Sequence, residues 1–251
     1  MNIILLNKND IIKPNIYKLT GKIADHIINI LRANVDDYLE VGIINGPIGK
    51  AQIIILKKEE VVLRLMEMHA PPGKFSIDLI CALPRPQTLK KILSVSATMG
   101  INSIHFIMSN RVEKSFFNST LLKDENYLQY ILDGLSQGKR TKVPKIYFYK
   151  RFKKFFEEDF SFGAVSRTNI TLKLVAEGSS KNCLTDVFPK TVNNIILAIG
   201  PEGGWISFEI KFMEKHGFIP FKISNSVLRV ESAVTAALAQ IELVNISKKK
   251  I

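Results

Sequence analysis

The spacing of apolar positions changes character once along the chain. Up to about Ala70 the apolar runs are short and β-branched. Residues 53–56 and 61–65 alternate with turn clusters at Asn45-Gly46-Pro47 and 57–60, which predicts a small antiparallel β-barrel. One helix over residues 25–32 interrupts it, with Ile27, Ile28, Ile30 and Leu31 as its buried face. Pro71-Pro72-Gly73 then breaks the pattern and marks a junction, so the expected domains are 1–72 and 73–251.

Beyond Lys74, strands and helices alternate. Strands are expected at 76–83, 103–108, 146–149, 171–175 and 195–199, and helices at 88–99, 121–135, 207–216 and 234–244. That order predicts an α/β domain with a mostly parallel sheet and helices on both faces. No internal repeat interrupts it, and Lys248-Lys249-Lys250 reads as a short solvated tail.

Composition narrows the function. With 46% apolar and 23% charged residues among 251, the chain is an ordinary globular protein and not a disordered one. Thirty-five Lys and Arg against 23 Asp and Glu leave +12, which favours a polyanionic partner such as nucleic acid and a steep salt dependence. Part of that charge lies in Lys139, Arg140, Lys142, Lys145, Lys150, Arg151, Lys153 and Lys154. These are read as phosphate contacts, and the interleaved Tyr147, Phe148 and Tyr149 as core. Cys81 and Cys183 lie far apart with no ligand-like neighbours, so no metal is expected and both thiols should be reduced. The apolar start is too short for a signal segment and no run approaches ~18 apolar residues, so a cytoplasmic protein without a membrane partner is expected.

Candidate chemistry sits late in the chain. Gly200-Pro201-Glu202-Gly203-Gly204 follows an apolar strand and precedes a helix, which gathers backbone N–H groups at a strand end. It carries neither the Lys-Ser/Thr ending of a phosphate loop nor dinucleotide glycine spacing. Some 25 residues on, the segment 223–233 leads into an Ala-rich helix and places Arg229 and Glu231 just before it. There a carboxylate is favoured by the helix dipole and an arginine can clamp a neighbouring loop, although a plain salt bridge at the helix start would look the same.

Together, Gly-Pro-Glu-Gly-Gly and the later Leu228-Arg229-Val230-Glu231-Ser232-Ala233 resemble the RsmE family of ribosomal RNA uridine-N3 methyltransferases, in the SPOUT superfamily. His26 with Ile30-Leu31-Arg32, and the run 136–144, are weaker matches to further motifs of that family. The resemblance implies a PUA-like barrel followed by a trefoil-knotted α/β domain, a homodimer, and S-adenosyl-L-methionine as cofactor. The substrate it implies is a uridine N3 in 16S rRNA, as free ribosomal RNA or in the assembled small subunit. It also implies a cofactor pocket of three loops. The first carries Leu174, Ala176 and Glu177. The second carries Ile199, Gly200, Pro201, Gly203 and Gly204. The third carries Ile223, Ser224, Asn225, Val227, Leu228 and Arg229. Arg229 is the candidate for stabilising a developing anion, Glu202 and Glu231 are candidates for accepting a proton or orienting Arg229, and His26, Arg32, Arg85 and Arg140 are RNA-binding candidates.

The chain departs from the family pattern at 223–226, which lacks the usual glycine and arginine, and at Ser136 and Lys139. Two other readings therefore stand beside the first. One is an RNA-binding or ribosome-assembly factor without turnover, and the other is a methyltransferase with a different RNA target.

Overall fold

The protein is described from a computed structural model covering residues 2–71, 76–160 and 170–248. Pro72, Gly73, Lys249 and Lys250, on which the expected junction and tail partly rest, lie outside the described residues. The chain divides into two compact units, Met1–Gly73 with Leu132–Val143, and Lys74–Ile131 with Pro144–Ile251.

The first unit is one six-stranded sheet built from β1 (Ile4–Leu6), β2 (Ile11–Lys13), β3 (Ile16–Thr20), β4 (Tyr38–Ile43), β5 (Ile48–Lys57) and β6 (Glu60–His69). Its order is β1-β4-β5-β6-β3-β2. Four pairings are antiparallel, as alternation and tight turns dictate, but β1 lies parallel to β4, because the long connection through β2, β3 and the helix lets the chain return in the same direction. Leu6, Ile27, Val41, Ala51, Ile53 and Leu63 form its core.

The expected helix over 25–32 forms differently. A short α1 (Gly21–Asp25) opens into a π-turn over His26–Ile30, with the Leu31 N–H donating to His26 O at 2.9 Å. The wider turn rotates positions off the 3.6-residue period. Ile27 stays fully buried, whereas Ile30, expected on the buried face, is 67% exposed.

Residues 132–143 are fastened within this unit by short bonds. The Ile3 N–H donates to Ser136 O at 3.1 Å, the Ser136 hydroxyl donates to Ile3 O at 2.6 Å, and Thr141 Oγ1 donates to Gly46 O at 2.7 Å.

The second unit holds β7 (Ser76–Ala82), α2 (Pro86–Met99), β8 (Ser103–Ile107) and α3 (Asp124–Gln137), whose last residues count with the first unit. Next come β9 (Lys145–Tyr149), α4 (Phe152–Lys154), β10 (Thr171–Ala176), α5 (Leu184–Val187) and β11 (Asn194–Ile199). The unit ends with α6 (Ser207–Lys215), β12 (Ile219–Phe221) and α7 (Val230–Lys248). The sheet, ordered β12-β10-β11-β7-β8-β9, is parallel at every pairing. Its strands are the near-continuous apolar runs that burial on both faces requires.

Leu89, Ile92, Leu93 and Ala97 recur at helical spacing and form the buried face of α2, which packs on α7. Two differences from the sequence pattern stand out. α7 begins four residues before the expected Val234, since the Ala233 N–H already donates to Arg229 O at 2.8 Å, and Glu231 therefore lies inside its first turn. β12 was not among the expected strands; Pro220 sits in it, and an edge strand has a side where a missing N–H costs nothing.

One face of this sheet carries a polar cluster. Ser103 donates to Asp78 Oδ1 at 2.5 Å and lies 2.9 Å from His105 Nε2, while the His105 ring stacks on Tyr147 at 4.9 Å. Burial is the main cause that pushes His105 down to about 4, against a smaller opposite pull from Asp78. Above its ordinary value of about 6.5 the ring is neutral in folded and unfolded chains alike. As the pH falls from there toward 4, the unfolded chain takes up a proton that the folded chain refuses, which removes up to roughly 3 kcal/mol of stability. His105→Gln is therefore expected to flatten the fall in melting temperature between about pH 6.5 and 4.5. Parallel pH profiles for variant and parent would contradict this.

Candidate functional site

In an open parallel sheet, ligands bind beyond the carboxyl ends of the strands. Register explains why three loops meet there. Val175 on β10 pairs with Ala198 on β11, and Ala176 pairs with Phe221 on β12, so the chain leaves all three strands side by side. Between the loops lies a cavity of about 510 Å³, within the roughly 300–1,000 Å³ of small-molecule sites. Its walls come from Ala176 to Gly178, from the whole turn 199–205, and from 223–228, closed by Val230 and Ala233 of α7.

The turn is built from close approaches. Gly204 has φ +75, which glycine adopts freely, and its N–H donates to Pro201 O at 2.8 Å. A Cβ on Gly203 would sit 3.0 Å from Arg111 Cδ, because the Arg111 side chain lies across it and Nη1 donates to Gly203 O. Trp205, 7% exposed, brings its ring to 3.2 Å from where a Cβ on Gly200 would stand.

One buried carboxylate joins the parts. Glu209 on α6 is 2% exposed, and accepts from the Asn110 N–H at 2.7 Å through Oε1 and from the Ile206 N–H at 3.0 Å through Oε2. It thus fastens the loop after β8 to the end of the glycine turn. The third loop is held by Gln240 of α7, whose Nε2 donates to Ile223 O at 2.8 Å.

Of the expected cofactor residues, those from Ala176 and Glu177 through the glycine turn to Ile223, Ser224, Asn225, Val227 and Leu228 line this one cavity. Leu174 is fully buried in β10 and is not part of the wall. Arg229 is exposed at the start of α7, between lining residues Leu228 and Val230. Glu202 lines the cavity, while Glu231 faces Lys91 of α2 at 3.2 Å. The Glu231 carboxyl is held below its ordinary range chiefly by its own backbone N–H, then by Lys91 and Arg229, against a counteracting effect of burial. His26, Arg32 and Arg140 belong to the first unit and Arg85 to the second.

Arg111 and Trp205 escaped the sequence reading, as did Val230 and Ala233 of α7. Trp205 directly follows the glycines and is the chain's one tryptophan, a signal that was there to use. Arg111 stands in the loop leaving β8, which the strand-end rule alone would have put near the site. Among the described residues, no group of three His, Cys, Asp or Glu could hold a metal, and no helix is long and apolar enough to cross a membrane.

Glu209→Gln turns an amide donor toward a backbone N–H that now donates to a carboxylate. It is expected to cost about 1–3 kcal/mol and lower the melting temperature by roughly 2–10 °C. Because Trp205 is the only tryptophan, its emission should shift to the red as the turn loosens. Unchanged melting and emission would show that the clamp is dispensable.

Comparison with known proteins agrees with this geometry. The ribosomal RNA small subunit methyltransferase E 1 of Borreliella burgdorferi is 28% identical over 238 residues, 94% of this chain and 95% of that protein. The ribosomal RNA small subunit methyltransferase E of Treponema pallidum is 28% identical over 243 residues, 95% and 90% of the two chains. The ribosomal RNA small subunit methyltransferase E from Neisseria gonorrhoeae, solved bound to S-adenosyl methionine, shares the fold at a TM-score of 0.75 and 18% identity, over 96% of this chain and 98% of that one. The family model described as an RNA methyltransferase domain matches residues 71–242, which span every loop of the cavity, and this chain belongs to that family.

Proposed function

We propose that this protein methylates a uridine at N3 in the 16S rRNA of the small ribosomal subunit, using S-adenosyl-L-methionine. The observation that carries the reading is that the glycine turn and the segment leading into α7, separated by α6 and β12, line one cavity. The relatives named above, whose similarity covers 94% and 95% of the chain, support the substrate class.

The residues present fit the cofactor. Backbone groups of the turn and of 223–228 offer donors and acceptors to an adenine edge, and Ile199, Pro201, Ile223 and Leu228 supply apolar walls for its ring. The carboxylates of Glu177 and Glu202 line the same space and suit a cationic sulfonium. When bound, S-adenosyl-L-methionine supplies an electrophilic methyl group.

The chain's own residues do the remaining work. Uracil N3 carries a proton that must leave, so negative charge develops on the ring, and Arg229 beside the cavity mouth is the group we assign to stabilise it. Glu231, held as an anion and paired with Lys91, fixes the start of α7 and so the approach of Arg229. Glu202, on the cavity wall, orients the base or takes the proton. A paired uridine hides N3, so the target base must be exposed or flipped out.

The finer architecture belongs to the same proposal. The second unit is a trefoil-knotted SPOUT domain, and the first is a PUA-like barrel that holds RNA, to which His26, Arg32 and Arg140 contribute; Arg85 does so from the second unit. The enzyme acts in the cytoplasm as a homodimer, a reading supported by Leu243 and Ile246 of α7, 65% and 49% exposed.

Incubation with labelled S-adenosyl-L-methionine and small subunits from a strain lacking the enzyme should give one modified uridine, mapped at N3. Label on another base or position would overturn the assignment, and no label would favour an assembly factor without turnover. Arg229→Ala should lower kcat by about 10²–10³ while cofactor affinity stays within about threefold. Equal loss of both would make Arg229 a binding residue only.

A further inference from the structure

We infer that Arg111 is a substrate-contacting residue that grips an RNA phosphate next to the target base, held in place by Glu209. The inference rests on the RNA-methyltransferase reading above and adds a residue to it.

Three observations converge on Arg111. Among the described residues lining the cavity it is the only cation, beside the carboxylates of Glu177 and Glu202. Arg229 stands beside the mouth without lining the wall, so a polyanion that reaches the wall itself meets one attractive point, Arg111, near two carboxylates.

The side chain is also exposed and lies over Gly203, at the outer lip of the turn. A small cofactor is largely enclosed by its pocket, whereas an exposed lip faces a macromolecule arriving from solvent. One guanidinium donor is used on Gly203 O, and a planar fork of five donors leaves enough to bind phosphate in a bidentate manner.

The third observation is the support beneath it. Asn110, the residue before Arg111, donates its N–H to the buried Glu209 carboxylate, which also holds Ile206 at the end of the turn. The cation and the cavity wall are thus tied to one fixed point. A surface arginine whose only task was solubility would need no such anchor.

The test measures binding to small ribosomal subunits from a strain lacking the enzyme, over roughly 50–200 mM salt, for the parent, Arg111→Ala and Arg111→Lys. Losing one phosphate contact should reduce the slope of log K against log salt by about 0.8 in Arg111→Ala, which is about sixfold weaker binding near 0.1 M salt. Arg111→Lys keeps the charge and should keep most of the slope. Affinity for S-adenosyl-L-methionine should fall far less than affinity for subunits in both variants.

A slope unchanged in Arg111→Ala would overturn the proposal, whatever happens to methyl transfer. Lost cofactor affinity with the slope retained would overturn it too, by assigning Arg111 to the cofactor's carboxylate. A parent protein that binds subunits but never methylates them would sink the functional reading while leaving the phosphate contact measurable.

Discussion

Parallel strands all send their outgoing loops to the same edge, and the site of this protein depends on that constraint. Pairing of Val175 with Ala198 and of Ala176 with Phe221 leaves no freedom in where the three loops begin. What remains is to hold them: Gln240 holds the third, and a single buried carboxylate ties the glycine turn to the loop after β8. Burying Glu209 would be costly if its oxygens were unpaired, but two backbone N–H groups from two different loops satisfy it, so the desolvation cost is offset while the loops become one object.

Charge is distributed in two registers. The chain as a whole carries +12, which draws in a polyanion over long range and sets encounter rates. The cavity wall runs the other way, with two glutamates and a single arginine, Arg111, among its described lining residues. A cationic donor and an anionic substrate can therefore be recognised a short distance apart without competing for the same groups.

The parallel sheet was legible because buried strands are continuous apolar runs, and α2 because Leu89, Ile92, Leu93 and Ala97 recur at helical spacing and Gly100 stops it. The glycine turn was legible because few sequences place so many small residues between a strand and a helix. What escaped did so for physical reasons. Periodicity assumes 3.6 residues per turn, so a π-turn at His26 turned Ile30 out unseen. The first turn of α7 sets Glu231 and Ser232 between Val230 and Ala233, and apolar spacing alone missed it. Arg111 approaches the turn from a loop 92 residues away, which residue spacing does not record and only its place after a parallel strand could signal.

Pro220 has a wider consequence. It sits in β12, three residues long, at one margin of the parallel sheet. A strand that short, with one amide hydrogen missing, gives a second molecule almost nothing to zip onto. On that side the sheet is sealed against growth, so self-association there has to proceed through side chains on helices and not through backbone ladders, which protects an otherwise adhesive β-edge from runaway polymerisation.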